Sequence, residues 1–208
     1  MDSIEGFILV GGQSRRMGAD KSQLQLAGQS FVERIAAELA AVARSVKLVG
    51  AKRDAGKLNL QTVPDVVTGW GALGGVHAAV SACATDWAMV VACDFPFVTE
   101  QLFTKLASVR ADFEAVAPIQ NDGIIQPLCA LYRVEPCREI AEQFIKSGER
   151  KPVALLQSVK TRWVSFDEVS NLAGADRFFE NINTPEDYVR ASGKGLSTDG
   201  VAIGPKEE

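Results

Sequence analysis

Short apolar runs that alternate with segments of helical periodicity define the pattern of this chain. The apolar runs predict strands over residues 4–10, 46–49, 60–63, 87–92, 115–118, 128–132 and 162–166. The intervening segments predict helices over residues 31–42, 76–83, 99–108, 135–147, 153–157 and from 184 onward. Because strands and helices alternate, we expect an α/β fold, a three-layer α/β/α sandwich with a mostly parallel central sheet.

Local sequence features support several of these elements. A capping-box pattern at residues 30–33 starts the first helix, and Thr184 with Pro185 is typical of an N-cap and a first helical residue. The run 87–92 is entirely apolar, so we expect a central strand that is covered on both faces. The glycines between residues 69 and 75 predict a tight turn into the helix that follows.

The length and composition fit one globular domain followed by a tail. The 208 residues are 47% hydrophobic and 23% charged, and they contain no internal repeat or linker. We expect residues 1–192 to form the domain. Residues 193–208 are polar and rich in glycine, and we expect a disordered tail there.

Charge and targeting features exclude several classes of protein. A net charge of −4 argues against general nucleic-acid binding, which needs a basic surface. No apolar run approaches the roughly 20 residues of a membrane span, and Asp2 and Glu5 do not fit the basic start of a signal peptide. The cysteines form no C-x-x-C pair, so we expect buried thiols in a reducing compartment, the cytoplasm. His77 is the only histidine, which excludes histidine triads and multi-histidine metal sites, and we expect it to be structural.

The segment after the first strand has the chemistry of a phosphate-binding loop. Gly11, Gly12 and Gly18 let a ligand approach backbone N–H groups closely. Arg16 and Lys21 supply the positive charge that a polyphosphate requires. The glycine spacing fits neither a Walker loop nor a dinucleotide-binding fingerprint. From the residues alone, an anion-binding loop and a flexible surface turn both remain open.

Two acidic residues follow predicted strands. Asp94 comes after the run 87–92, and Asp65 comes after the run 60–63. Open α/β sheets bind ligands at the carboxyl ends of their strands, and a carboxylate placed there suits Mg²⁺. The alternatives are a turn or N-cap role for Asp94 before the helix at residue 99, and a turn role for Asp65.

The loop and four later segments resemble one family. Residues 9–21 match every fixed position of the L-x-G-G-x-S-x-R-M-G-x-D-K pattern of the molybdenum cofactor guanylyltransferases. The later segments resemble that family's motifs C-D-x-P at 93–96, G-P-L-x-G at 71–75 with Ala72 in place of proline, N-x-N-T-P-E-D at 181–187 and G-E-R-R/K at 148–151. The resemblance implies a Rossmann-like nucleotidyltransferase domain.

The resemblance also implies roles for individual residues. It assigns catalysis to Arg16, Lys21 and Asp94. It implies that the nucleotide is bound by residues of the first loop and of later strand ends, namely Leu9, Val10, Gly11, Gly12, Ser14, Lys21, Asp65, Gly74 and Asp94. It implies metal binding by Asp94 and Asn183, with Asn181 as the second choice for the metal. It implies binding of the pterin substrate by Arg150, Lys151 and Asn181.

Several of these assignments have local alternatives. Residues 71–75 also fit a tight turn, and Arg150 with Lys151 also fits a solvated helix end. Residues 126–128 correspond to a further substrate loop of the family. The family's nucleotide-contacting asparagine after the second strand falls at Gly50, so no side-chain contact is expected there.

The activity that the resemblance implies is transfer of GMP from GTP to molybdenum-bearing molybdopterin, with Mg²⁺ as cofactor and pyrophosphate as second product. The nucleophile is a phosphate oxygen that is already anionic, so no general base is needed. Delivery of the substrate by a molybdenum-insertion protein is implied, as is a molybdoenzyme or its chaperone as a partner. Gly11 and Gly12 favour the guanylyl branch over the L-A-A-G-x-S opening of cytidylyltransferases. A cytidylyltransferase, a sugar-1-phosphate nucleotidyltransferase and a non-catalytic nucleotide-binding partner of molybdoenzymes remain the alternatives.

Overall fold

A computed structural model describes residues 3–10, 24–50, 59–182 and 184–192. The strands are β1 (Ile4–Leu9), β2 (Gln25–Leu26), β3 (Gln29–Ser30), β4 (Val46–Val49), β5 (Gln61–Val63), β6 (Trp87–Ala92), β7 (Ala115–Pro118), β8 (Cys129–Arg133) and β9 (Thr161–Val164). The α-helices are α1 (Phe31–Ala40), α2 (Gly71–Ala82), α3 (Glu100–Ser108), α4 (Val134–Ser147), α5 (Pro152–Ser158) and α6 (Pro185–Ser192). The tail predicted over 193–208 lies outside the described residues.

The central sheet has seven strands in the order β5-β4-β1-β6-β8-β7-β9. Only β8 runs antiparallel to its neighbours within this sheet, and the other strand pairs are parallel. The predicted α/β fold with a mostly parallel sheet is therefore confirmed. After β1 the chain crosses to β4 on one side, whereas β6 lies on the other side of β1, so the strand order reverses between β1 and β6. Open α/β sheets bind ligands at the carboxyl ends of strands at such a switch point.

An apolar layer covers each face of the sheet. Successive side chains of a strand point to opposite faces, so the residues of β1 contribute to both layers in turn. Phe7 and Leu9 belong to the cluster that contains buried residues of α2, α4 and α5. Ile8 and Val10 belong to the opposite cluster, which contains buried residues of α1 and α3. Trp87–Ala92 is buried throughout, as its apolar composition predicts for a strand covered on both faces.

Two local features differ from the prediction. The turn predicted through residue 75 ends earlier, because α2 already begins at Gly71 and buries Leu73 and Val76 against the sheet. The short antiparallel pair β2–β3 was not predicted. Its two-residue turn places Ala27 and Gly28 at positive φ angles of 51° and 84°, and Ala-Gly is a weaker hairpin signal than Asn-Gly.

None of the four cysteines, all of which lie in the described ranges, forms a disulfide, and two of them lie deep in the core. Burial raises the pKa of Cys129 to about 12. Burial, followed by the nearby Glu114 carboxylate, raises the pKa of Cys137 to about 12. At neutral pH both side chains are therefore protonated and pack as small hydrophobes. Among the helices of the described ranges, none is both long and apolar enough to span a membrane.

His77 lies between α2 and α4 and is 5% exposed. Its Nε2 is 3.9 Å from Oε1 of Glu142, and neither ring nitrogen has a hydrogen-bond partner among the described residues. Burial lowers the pKa of His77 below its ordinary 6.5, although Glu142 acts in the opposite direction. Below that ordinary value the unfolded chain therefore binds more protons than the folded chain does, and stability falls as the pH falls.

We expect His77→Leu to remove this part of the pH dependence. Between about pH 7.5 and about pH 5, urea unfolding should show a smaller loss of stability in the variant than in the wild type. Glu142→Gln is the companion variant. It removes the carboxylate that raises the pKa of His77, so its stability should fall more steeply with acidification than that of the wild type. Parallel pH profiles for all three proteins would contradict this account.

Candidate functional site

The carboxyl ends of β1 and β6 lie side by side. Leu9 is opposite Ala92 in the register, and the N–H of Cys93 donates to the Leu9 carbonyl at 3.1 Å. The N–H of Val10 donates to Val49 of β4 at 2.9 Å. Leu9 and Val10 bury their side chains in opposite core layers, so they anchor the start of the predicted phosphate loop.

The loop that follows β1 carries most of the predicted phosphate-binding and catalytic residues. Residues 11–23 lie outside the described residues, so the roles of Gly11, Gly12, Ser14, Arg16 and Lys21 stay predictions. What the structure fixes is the place from which this loop leaves the sheet. That place is the switch point, next to the turn that carries Asp94.

Asp94 is half-buried in the turn that follows β6. The N–H of Phe95 donates to the carbonyl of Ala92 at 3.3 Å and closes this turn. Asp94 does not cap α3, because the N-cap is Thr99, whose side chain accepts from the N–H of Leu102. The alternative of an N-cap role for Asp94 is therefore wrong. The turn role holds, and it places the residue at the predicted ligand edge of the sheet.

The predicted asparagine motif meets the Asp94 turn. The N–H of Ile182 donates to the carbonyl of Asp94 at 3.3 Å, so the chain around the exposed Asn181 crosses this turn. Ile182 is buried in a small cluster with Leu26 and Phe31. Asn183 lies outside the described residues. Two motifs that are far apart in the sequence are thus brought together.

The helix after the asparagine motif is firmly capped and docked. Thr184 and Asp187 cap α6 reciprocally: the N–H of Asp187 donates to Thr184 Oγ1 at 3.2 Å, and the N–H of Thr184 donates to Asp187 Oδ2 at 3.0 Å. The hydroxyl of Tyr188 donates to the carbonyl of Gln25 at 2.5 Å, which ties α6 to the β2–β3 hairpin. The helix-start role of Thr184 is present, and it holds the end of the asparagine motif in place.

Asp65 is half-buried and lies two residues beyond β5, at the same edge of the sheet. Three strand spacings separate the ends of β5 and β6, a distance of about 14 Å. Gly50, which follows β4 between them, has a φ of 122° that side-chain-bearing residues rarely adopt. This backbone conformation favours glycine at position 50, so no side chain is present there to contact a ligand.

Gly74 and Gly75 allow close packing at the start of α2. A Cβ atom on Gly74 would lie 2.8 Å from Cβ of Trp70, and one on Gly75 would lie 3.1 Å from Cδ1 of Leu9. Gly74 therefore lets Trp70 pack against the start of α2, and Gly75 lets α2 pack against Leu9 at the end of β1. Close packing is therefore a structural reason for glycine at these two positions, as the local alternative for this segment supposes. A contact between Gly74 and the nucleotide stays a prediction.

The segment with Arg150 and Lys151 is docked on the loop between β5 and α2. Trp70 Nε1 donates to the carbonyl of Glu149 at 3.2 Å, and Arg150 Nη1 donates to the carbonyl of Gly69 at 3.1 Å. The Arg150 guanidinium lies over the Trp70 ring, 4.3 Å from its centroid. Glu149 Oε1 accepts the N–H groups of Arg150 and Lys151, both at 2.8 Å. Both hydrogen bonds lower the pKa of the Glu149 carboxyl, and the bond from the Lys151 N–H has the larger effect.

Trp70 was missed as a member of the site, and Glu149 was included only as part of the motif at 148–151, without a role of its own. Trp70 stands between two glycines of the segment 69–71, which is the local signal that could have drawn attention to it. Its partner lies 79 residues away along the chain, so no local pattern could reveal the contact.

The donor set fits a hard divalent cation such as Mg²⁺. The described ranges contain no group of three or more His, Cys, Asp and Glu side chains that could hold a metal alone. Mg²⁺ is usually held by one or two carboxylates together with substrate phosphates, and one carboxylate at the switch point satisfies that pattern. A depression of about 270 Å³ is lined by Asp86, Arg110 and Arg133. It lies at the opposite end of the strands, where β6 begins and β8 ends, so it is separate from the candidate site around Asp94.

Known proteins share this sequence pattern and this fold. A family model described as a MobA-like NTP transferase domain matches residues 6–162. A Pelotomaculum thermopropionicum protein named probable molybdenum cofactor guanylyltransferase is 33% identical over 187 residues, which cover 89% of this chain and 90% of that protein. The crystal structure of molybdopterin-guanine dinucleotide biosynthesis protein A from Archaeoglobus fulgidus is similar, with a TM-score of 0.76 and 25% identity over 91% of this chain and 97% of that chain. 2-C-methyl-D-erythritol 4-phosphate cytidylyltransferase from Thermus thermophilus shares the fold, with a TM-score of 0.65 and 17% identity over 90% and 96% of the two chains.

Proposed function

Because the chain belongs to the MobA-like NTP transferase family, we propose that it transfers GMP from GTP to the molybdenum-molybdopterin cofactor. The products are the molybdopterin guanine dinucleotide cofactor and pyrophosphate. One observation carries this proposal: the segment Asn181–Ile182 is hydrogen-bonded to the turn that contains Asp94. This contact lies at the switch point, next to the end of β1 from which the predicted phosphate loop starts. Nucleotidyl transfer depends on positioning and on neutralisation of phosphate charge. A carboxylate that can hold a divalent cation and a glycine-rich basic loop supply both.

In the proposed reaction, the terminal phosphate oxygen of molybdopterin attacks the α-phosphorus of GTP. The bond from that phosphorus to the bridging oxygen breaks, and pyrophosphate leaves with the electron pair. Asp94 and Asn183 would hold Mg²⁺, which when bound supplies positive charge at the α-phosphate. Arg16 and Lys21 neutralise the triphosphate and the charge that develops on the leaving group. The attacking oxygen is already anionic, so the protein needs no general base.

The remaining predicted residues bind the two substrates. Leu9, Val10, Gly11, Gly12, Ser14, Asp65 and Gly74 form the nucleotide subsite, and Arg150, Lys151 and Asn181 form the molybdopterin subsite. The position of Asp65 and Asp94 after the carboxyl ends of parallel strands of one sheet supports a common nucleotide subsite. We further propose that the substrate is delivered by a molybdenum-insertion protein and that a molybdoenzyme or its chaperone receives the product. The free thiols favour a reducing compartment, and we propose the cytoplasm.

The test is pyrophosphate release with Mg²⁺, molybdenum-loaded molybdopterin and either GTP or CTP as the only nucleotide. We expect release with GTP alone. A preference for CTP would overturn the guanylyl assignment, because the cytidylyltransferase neighbour shows that this fold also supports the other base. Tight GTP binding without release under either condition would instead make the protein a nucleotide-binding partner.

A further inference from the structure

The contact between Trp70 and Arg150 gives the two cations of the molybdopterin subsite different tasks. Arg150 stacks on the Trp70 ring and donates to the Gly69 carbonyl, while the indole N–H returns a hydrogen bond to Glu149. The set of Gly69, Trp70, Glu149 and Arg150 is called the clasp below. It joins the segment 148–151 to the loop that also carries Asp65, so it fixes where this segment stands at the ligand edge.

The guanidinium of Arg150 is already engaged in this set. Its planar face is on the indole ring and one of its nitrogens is on a carbonyl. Arginine is suited to this combination because it stacks and donates in a fixed plane, which the ammonium of lysine cannot do. A ligand that stacked on this face of the Arg150 guanidinium would have to displace the Trp70 ring and so break the clasp.

Lys151 is differently placed. Its N–H is held by the Glu149 carboxylate, which fixes the backbone at the start of α5. Its side chain is exposed, and its ammonium makes no salt bridge with any carboxylate in the described part of the chain. The Glu149 carboxylate attracts this ammonium without forming a salt bridge with it. As an exposed charge on an ordered backbone, the ammonium can pair with the phosphate of a substrate.

The clasp is also connected to the nucleotide side of the site. Gly74 has no side chain where Trp70 packs, and Gly75 has none where Leu9 packs at the end of β1. Trp70 therefore lies between the segment 148–151 and the helix turn that abuts the start of the phosphate loop. The segment 148–151 contacts this loop through Trp70 and the adjacent Gly69. We therefore expect loss of the indole ring to loosen the segment 148–151 more than it loosens α2.

We propose that Arg150 is a positioning residue, held by Trp70 so that Lys151 meets the phosphate of the molybdopterin substrate. This inference rests on the proposed function for the identity of that substrate. Trp70→Ala and Arg150→Lys should each raise the KM for molybdopterin by about 5- to 10-fold. The first removes the ring and the indole N–H donor, and the second removes the planar guanidinium that stacks on the ring and donates to Gly69 at the same time. The KM for GTP and kcat should change less than about twofold. Trp70→Phe retains a ring and should recover part of the loss.

The double variant Trp70→Ala/Arg150→Lys should be no worse than either single variant, because both changes break the same unit. Lys151→Gln should raise the same KM without loosening the segment. Hydrogen exchange separates the two roles: the amides of Arg150 and Lys151 should exchange at least about 5-fold faster in Trp70→Ala, but not in Lys151→Gln. Trp163→Phe and Arg138→Ala are the matched controls, and both should behave as the wild type does.

A normal molybdopterin KM in Arg150→Lys would overturn the inference, since positive charge alone would then suffice at that position. Additive effects in the double variant would overturn it as well. If the wild-type protein transfers no nucleotide, the proposed function fails, whereas the exchange measurement still tests the clasp. Unchanged exchange in Trp70→Ala would refute the clasp even in a fully active enzyme.

Discussion

Replacing Asp94 by asparagine should lower kcat for guanylyl transfer by about 10²-fold or more, with little change in the KM for molybdopterin. The substitution keeps the shape of the side chain but removes its negative charge. In the proposed mechanism that charge would help to hold the divalent cation, which would supply positive charge to the reacting phosphates, so we expect its loss to slow the chemical step. The apparent affinity for Mg²⁺, measured from the dependence of rate on its concentration, should fall in parallel.

The control for this variant is Asp167→Asn, which makes the same change in charge at an exposed residue in the short 3₁₀ turn after β9. Its kcat should equal that of the wild type. The hydrogen bond between Ile182 and Asp94 uses the backbone carbonyl of Asp94, so Asp94→Asn retains it. Melting temperatures measured beside kcat separate a loss of fold from a loss of the chemical step. A kcat of Asp94→Asn within a few-fold of the wild type would remove Asp94 from the metal site.

The sequence predicted those parts of the molecule that local patterns determine. The buried strand 87–92, the cap at Thr184 and the mostly parallel sheet are present as predicted, because periodicity and capping chemistry act over a few residues. The position of Asp94 directly after a buried strand placed it at the carboxyl end of that strand for the same reason.

The features that were missed depend on contacts across the chain. Trp70 and Glu149 are 79 residues apart, and nothing near either residue indicates the other. The helical start of α2 was hidden because Gly74 and Gly75 disfavour a helix by local propensity, whereas close packing against Trp70 and Leu9 favours them there. Tertiary contacts, rather than local preference, decide these positions.

Glu5 is the clearest example of a residue that the sequence left unexplained. It interrupts an apolar run, yet it is 3% exposed in β1. Its carboxylate accepts from Lys47 Nζ at 2.9 Å, from Ser45 Oγ at 3.1 Å and from the N–H of Ala84 at 2.9 Å. Burial alone would raise the pKa of Glu5, but the hydrogen bonds from Ala84 and Lys47 outweigh it, and the pKa is lowered.

Replacing Lys47 by methionine should therefore destabilise the fold by about 3–5 kcal/mol, the cost of leaving a buried charge without its partner. The lysine ammonium also donates to the carbonyl of Ala82 at the end of α2, at 3.3 Å, and that bond is lost too. Urea unfolding near neutral pH would measure the change. The matched control is the double variant Glu5→Leu/Lys47→Met, which removes both charges and should recover most of the loss.

The pH dependence gives this prediction a second readout. Because the folded pKa of Glu5 lies below its ordinary 4.5, its stabilising contribution is complete above that pH and is lost as the pH falls through the folded value. In Lys47→Met the carboxylate has a higher pKa than in the wild type, so acid neutralises it sooner and relieves the penalty. The stability difference between wild type and Lys47→Met should therefore narrow as the pH falls below about 5. A loss under about 1 kcal/mol at neutral pH, the range of exposed ion pairs, would mean that water solvates the Glu5 carboxylate in place of Lys47.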